Sequence, residues 1–445
     1  MQWNQLLSAK RFGESSSLPL SQTRSRFEQD FDRIIFSHPF RKLQDKTQVF
    51  PMPDDDFVHT RLTHSLEVSS VGRSLGKEVG KQIIERRPEL KNDGITYHDF
   101  GAIVAAASLA HDVGNPPFGH SGESGISAFF LHSASGRFFE DKVSPEEWED
   151  LIRFEGNAQG FRILNSDLYG GLKLTMSTLA AFTKYPRSSS SLIEPGRKSQ
   201  KKYGFTQSEA GLFHELAGAT GLESLGPNVW LRHPLAFLVE AADDICYHII
   251  DLEDGTRLGL VSFEETRDLL AGVIGDQYNQ AKLDKLPDLN EKLGTLRALS
   301  IGKLIGECVT CFLDEEPGML SGKFDKALTE IVPSAPVLNQ IIGLSIGKIY
   351  RSREVLEREA SGFEVIEKVM DGFCQSVYFY CFEQDKSSPR HTSLVRLLPV
   401  SLQEILHRPG LTVYGALQVV TDFVSGLTDS SALKLYRTIS GYPLH

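Results

Sequence analysis

At 445 residues, with 24 % charged and 40 % hydrophobic side chains, the chain has the make-up of an ordinary soluble globular protein with room for a sizeable core and one or two domains. A formal charge of −11 argues against a general nucleic-acid coat protein, although a local basic patch can still serve an anionic ligand. The opening MQWNQLLSAKRFGESSS lacks an apolar core of signal-peptide length, and no later run approaches the roughly eighteen apolar residues of a membrane span; five thinly spread cysteines suit a reducing compartment, so a cytoplasmic location without a membrane partner is expected.

Along the chain, helical periodicity dominates and alternating strand patterns are scarce. The turn-rich piece QVFPMPDDDFVHT leads into RLTHSLEVSSVGRSLGKEVGKQII, where Leu62, Leu66, Val71, Leu75, Val79 and Ile83 recur at helical spacing. Arg61 and His64, three apart, share one face of that helix. Next comes the apolar run AIVAAASLA, which ends in HDVGNPPFGHSGE (111–123). Burying His111 and Asp112 beside such a run is costly unless they pair with each other or with a metal. Adjacent on a helix, the two differ by about 100° in direction and sit at one height. Gly114, Pro116 and Pro117 then stop the helix, so the doublet lies at a terminus where a cavity can open. His120 and Glu123, three apart, share a face of whatever short helix follows.

Residues 186–204, PRSSSSLIEPGRKSQKKYG, carry five basic residues and one acid, Glu194, among Ser, Pro and Gly; they read as a mobile positive loop. In HPLAFLVEAADDICYHIIDLEDG, Asp243, Tyr247 and Asp251 fall at i, i+4 and i+8, one stripe of two acids and a phenol amid apolar neighbours. Cys308 and Cys311 form a CxxC in GECVTCFLDEE, with Cys374 and Cys381 as further thiols only by default. Spacing of three on an amphipathic helix is better explained by burial of small apolar side chains than by structural zinc. One long helical segment from about Pro336 to Tyr380, and another in LTVYGALQVVTDFVSGLTD, complete a mostly α fold without internal repeats.

Taken singly, a buried histidine is usually a hydrogen-bonded core residue and a charged stripe usually faces water. Together the residues above describe His, His-Asp and Asp on three helices, with nitrogen and oxygen donors. That set suits one divalent ion such as Mn, Mg, Fe or Ni, and the lack of nearby thiols disfavours zinc of the structural kind.

His64, the doublet His111–Asp112, and Asp243 resemble the H…HD…D signature of the HD superfamily of metal-dependent phosphohydrolases. The surroundings are more specific. DFDRIIFSHPFRKLQDKTQVFP (30–51), TRLTHSLEV (60–68), HDVGNPPFGHSGE (111–123), FEGNAQGFRIL (154–164), TKYPR (183–187), KYGFTQSE (202–209) and EAADDICYHIIDLED (240–254) resemble, in order, the bacterial deoxyguanosine triphosphate triphosphohydrolases. The likeness covers residues 24–255, with SGLTD (425–429) a looser echo.

This resemblance implies an all-α enzyme: an HD-type core over 1–255 carrying the 186–204 loop, and a helical C-terminal region, 256–445, that packs on it and completes the pocket. Its implied activity converts dGTP, or another dNTP, into the deoxynucleoside and tripolyphosphate in one step. The implied ligands of a single divalent ion are His64, His111, Asp112 and Asp243, with His120 as proton donor to the leaving sugar oxygen and Glu123 orienting it. Arg61, Lys184 with Tyr185, and Lys202 would hold phosphate oxygens. Tyr247 would pack on the deoxyribose and exclude a 2′-hydroxyl by volume, while Gln48 and Asp251 would bond the 3′-hydroxyl. Asn157 and Gln159 lie in a family-like segment with no assigned role; Tyr350, Arg351 and Arg353 are candidates for base contact beside the plainer reading of solvated helix charges. The family also implies homo-oligomers, from dimer to hexamer, and a second dNTP or single-stranded DNA as effector.

Two rivals remain. An HD phosphodiesterase or nucleotidase acting on another nucleotide would, in its binuclear form, use an adjacent histidine pair, and no HH occurs in the chain. A catalytically silent protein that senses nucleotides or single-stranded DNA through the basic loop would have no use for His120 and Glu123. GRSLGKE and GLSIGKI lack the spacing and the Ser or Thr of a P-loop.

Overall fold

The computed structural model describes residues 1–14, 24–49, 59–168 and 171–442, so residues 50–58 of the turn-rich piece and 15–17 of the opening stretch lie outside the described residues. The architecture is all-α, about 70 % helical. Among the described residues the one sheet is a short antiparallel pair, Ser224–Gly226 with Val229–Trp230. No described helix is long and apolar enough to cross a membrane.

The helices that build the site are α1 (Arg61–Arg86), α2 (Tyr97–Ala110), α3 (His120–His132), α4 (Gly156–Asn165), α5 (Pro234–Arg257), α6 (Leu289–Leu320), α7 (Ala335–Lys348), α8 (Arg353–Phe382), α9 (Val413–Ser425) and α10 (Asp429–Ser440). Helix α1 starts from a capping box in which Thr60 and Thr63 satisfy each other's backbone N–H groups. Small residues let α2 lie against it: a Cβ on Gly76 would fall 2.7 Å from the Phe100 carbonyl oxygen. Of the expected inward stripe on α1, Val71, Leu75, Val79 and Ile83 are buried, whereas Leu66 is exposed. Helix α5 begins with Pro234 at its first turn and is buried on most of its circumference, the mark of an element inside the molecule and not on its surface.

Two apolar clusters result. One gathers α1, α2, α5, α6 and α7 around residues such as Leu75, Val104, Ile245 and Phe312. The other sets α3 against α8 and α9 through Phe129, Phe130, Phe373 and Val420. Histidines and acids carried by the first cluster thereby face those carried by α3 in the second. The helical segment expected from about Pro336 to Tyr380 is made of two helices, α7 and α8. The chain breaks at 349–352, where Ile349 is fully buried and Ser352 adopts the extended conformation of an N-cap. That break turns Tyr350 toward α5.

Candidate functional site

His64 stands on α1, His111 is the C-cap of α2, and Asp243 lies on α5. His64 Nε2 is 3.1 Å from Asp243 Oδ1, and His111 Nε2 is 3.5 Å from the same oxygen. One donor atom from each of the three residues falls within 4.8 Å of the other two. His111 Nδ1 lies 2.7 Å from the Ser108 carbonyl oxygen, which keeps the proton on Nδ1 and leaves the Nε2 lone pair facing the cluster. Burial alone would raise the Asp243 pKa, but His111 and the bond to His64 outweigh it and hold the carboxyl well below the usual range. Two imidazoles and an ionised carboxylate at this spacing fit a divalent ion of borderline or hard character.

Asp112 is not in that triad. Its Oδ2 accepts from Arg61 Nη1 at 2.9 Å and lies 3.6 Å from His111 Nε2, while Oδ1 accepts from Asn115 Nδ2. Burial pushes its pKa up; Arg61, His111 and His64 pull it below the ordinary aspartate value. The doublet therefore points its two members at different partners, one at the histidine–aspartate cluster and one at an arginine.

Past Pro117 the backbone takes a left-handed turn, with Phe118 at φ 64° and Gly119 at φ 60°. Asp429 Oδ1 accepts from Phe118 N–H at 2.9 Å, and a Cβ on Gly119 would sit 2.7 Å from Arg61 Nη2. The turn delivers His120 as the first residue of α3 with its side chain 85 % exposed. His120 Nδ1 is 2.8 Å from Glu123 Oε2, and Glu123 Oε1 accepts from Gly156 N–H, the start of α4, at 2.7 Å. Burial would raise the Glu123 pKa, but the His120 bond and the Lys202 charge keep it lowered, so the carboxylate is anionic and fixed.

A cationic wall faces this pair. Lys184 Nζ lies 3.2 Å from Glu240 Oε1, and Arg232 donates to Glu240 Oε2 at 2.6 Å. Against the cost of burial, Arg232 and Lys184 bring Glu240 down to about 2, and Glu240 in turn raises the Lys184 pKa, so Lys184 stays charged. Lys202 donates to Glu155 Oε1 at 2.9 Å. Arg61, Lys184, Tyr185 and Lys202, with Gln48, Tyr247 and Asn157, line a cavity of about 300 Å³ that also contains His111, Asp112, His120, Glu123 and Asp243. Two polar atoms at its edge, Gln48 Oε1 and Arg61 Nε, are buried without a hydrogen-bond partner.

Asp251 does not line this cavity; it is buried one turn beyond Tyr247, where Oδ2 accepts from the Tyr350 hydroxyl at 2.7 Å, and burial pushes its pKa well up. Tyr350 stacks on Tyr247 with ring centroids 5.5 Å apart. Arg351 is exposed, and Arg353, also exposed, pairs with Glu357 at 2.6 Å, as solvated helix charges do. Gln159 donates to Asp422, while Asn157 donates to Glu155. The 186–204 segment is packed at both ends: Arg187, Ser188, Ser199 and Gln200 are buried, and only its tip, Leu192 and Ile193, is strongly exposed among its apolar residues. Cys308 is buried and Cys311 half-buried on α6, as small apolar side chains would be.

Supports that sequence reasoning missed are Asn115, Glu155, Glu240 and Asp429. The first three sit inside quoted motif segments and announce themselves only by proximity; Asp429 ends the SGLTD echo.

Comparison with known proteins follows the same lines. A family model described as "HD domain" matches residues 61–155, and one described as "Phosphohydrolase-associated domain" matches 338–438. The chain is 42 % identical to a deoxyguanosinetriphosphate triphosphohydrolase-like protein of Synechocystis sp. (strain ATCC 27184 / PCC 6803 / Kazusa), covering 100 % of both chains. It is 37 % identical to one of the same description from Pseudomonas aeruginosa (strain LESB58), over 99 % of each. With a deoxyguanosinetriphosphate triphosphohydrolase of Enterobacter sp. (strain 638) it shares 30 % identity over 93 % of each.

Proposed function

Since the chain belongs to the deoxyguanosinetriphosphate triphosphohydrolase-like family of HD-domain hydrolases, we propose that it is a metal-dependent triphosphohydrolase that cleaves dGTP, and other dNTPs less selectively, into deoxynucleoside and tripolyphosphate. What carries this reading is one juxtaposition: a His64–His111–Asp243 cluster able to take a divalent ion opens into the same cavity as the His120–Glu123 pair and a lysine-rich wall. A sensor or binding protein has need of the wall but not of the pair.

A divalent ion held by His64, His111 and Asp243 would neutralise charge at the α-phosphate and acidify the attacking water; Asp112, whose Oδ2 lies 3.6 Å from His111 Nε2, would join as fourth ligand by sharing that oxygen with Arg61. The remaining work falls to the chain. Arg61, Lys184 and Lys202 hold phosphate oxygens and disperse the charge that gathers as the bond breaks. Water attacks the α-phosphorus, the bond from phosphorus to O5′ breaks, and His120 gives O5′ the proton it needs to leave as an alcohol. As the acid His120 acts in its doubly protonated form: Nδ1–H is held by the anionic Glu123, and the proton given to O5′ is the one on Nε2. The Tyr247 ring, backed by Tyr350, packs on the sugar and leaves no volume for a 2′-hydroxyl. Gln48 Oε1 accepts from the 3′-hydroxyl, with Asp251 acting through Tyr350.

The test is a product analysis with Mn²⁺ and dGTP. Deoxyguanosine with tripolyphosphate is the expected pair. Pyrophosphate with dGMP would instead indicate a nucleotidase, and absence of turnover with tight nucleotide binding would indicate a sensor.

A further inference from the structure

The reaction cavity continues into a second one, of about 290 Å³, and the two share Gln48, Arg61, His120 and Tyr247 in their walls. Their chemistry differs. Lys184 and Lys202 belong to the first alone, whereas the second is closed by Phe118, Tyr350 and Val355, with Arg358 among them. If the lysines take the triphosphate and the shared residues flank the sugar, the aromatic compartment is left for the base, whose flat face suits such walls.

Among the described residues, Arg358 is the one cation that only this second compartment adds. It comes from α8, its guanidinium lies 5.8 Å from the centroid of the Phe118 ring, and Nη2 is paired with the Asp429 carboxylate. Nη1 is buried with no hydrogen-bond partner, a costly state for a charged donor unless a ligand supplies the acceptor. Asp429 already neutralises the charge, so what Arg358 has left to offer is a directed N–H and not a phosphate clamp. A donor of this kind distinguishes bases by their edges. Guanine presents two adjacent acceptors, O6 and N7; adenine keeps N7 but puts an amino donor where O6 stands, and cytosine likewise presents an amino donor.

On the triphosphohydrolase reading above, we infer that Arg358 is a specificity-determining residue which reads the O6/N7 edge of guanine through Nη1. Binding to the full-length chain with Mn²⁺, read by rapid mixing before turnover, tests it, using dGTP, its 7-deaza analogue, which lacks N7, and 2-aminopurine deoxyribonucleoside triphosphate, which lacks O6. Wild-type protein is expected to bind at least one analogue about tenfold or more weakly than dGTP. Arg358→Met is expected to lose affinity for dGTP while retaining little of the gap between dGTP and the analogues, and Arg358→Lys to fall between. Wild-type affinities within about threefold of one another, or an equal loss on all three ligands in the variant, would overturn the inference. The wild-type comparison stands even if the methionine variant fails to fold. Turnover measured in the same samples separates the two readings: tripolyphosphate released without base discrimination sinks the role of Arg358 alone, and discrimination in binding without tripolyphosphate sinks the proposed reaction.

Discussion

His120, the proposed proton donor, shows what sets one residue apart from its like. Its exposure would be unremarkable on any surface helix; what sets it apart is the buried, anionic Glu123 held from behind by Gly156 N–H. His120→Ala is expected to lower kcat by about 10²–10⁴-fold with a much smaller effect on nucleotide affinity, measured by single-turnover kinetics beside equilibrium binding. Lys46 gives a pH signature. Its Nζ donates to the carbonyls of Asn115 and Ser425, and burial, with Arg61 and Lys42 nearby, brings its pKa down to about 7 from 10.5. Above that value the folded protein has released the proton while the unfolded chain keeps it, so stability attributable to this group rises with pH between about 7 and 10.5. The unfolding free energy of wild type relative to Lys46→Met, read from urea denaturation, should therefore rise from pH 7 to pH 9, by at most about 1.4 kcal/mol per pH unit. Much of this scale was legible in the sequence, because the residues carry recognisable chemistry in fixed spacing: His111 and Asp112 at a helix end, His120 and Glu123 three apart. Arg358 and Glu240 were not, since an arginine among many helix charges and a glutamate in an apolar run gain meaning only from partners on other elements, Asp429 and Lys184.

At the level of helices, α10 works from its first residue. Asp429 caps nothing beyond itself in the usual sense; its carboxylate takes Thr47 N–H, Phe118 N–H and Arg358, joining the segment that bears Gln48, the turn that aims His120, and the base compartment. Removing it leaves a half-buried guanidinium without its counter-charge, so Asp429→Ala is expected to cost about 3 kcal/mol, read from chemical denaturation. Asp429→Asn, which keeps an acceptor, should cost less. Helices themselves were legible from periodicity: α1, α5 and α9 fall where apolar spacing put them. The break between α7 and α8 was not, because KIYRS contains no Pro or Gly and the turn is imposed by Ile349 entering the core. Asp251 differs for the same reason: its place on the stripe was readable, but the tyrosine that occupies it comes from that unreadable break.

For the whole molecule, the candidate ion site lies between elements far apart in sequence, so ion binding and folding would be coupled. Mn²⁺ at about a hundred times its dissociation constant should raise the unfolding free energy by about 2.7 kcal/mol in wild type, and that increment should vanish in Asp243→Ala. Calorimetry with and without Mn²⁺ measures both. Fold class was legible here and the meeting of the two apolar clusters was not, since no local pattern says which helix faces which. The tie made by Asp429 reaches furthest. Cutting the chain after residue 428 would spare every candidate ion ligand and every phosphate-facing lysine, yet it would untether the bend ahead of His120. Such a truncated protein should still take up manganese and still hold a triphosphate, while the proposed proton donor loses the bend that aims it: a binder made from an enzyme by deleting a distant tail.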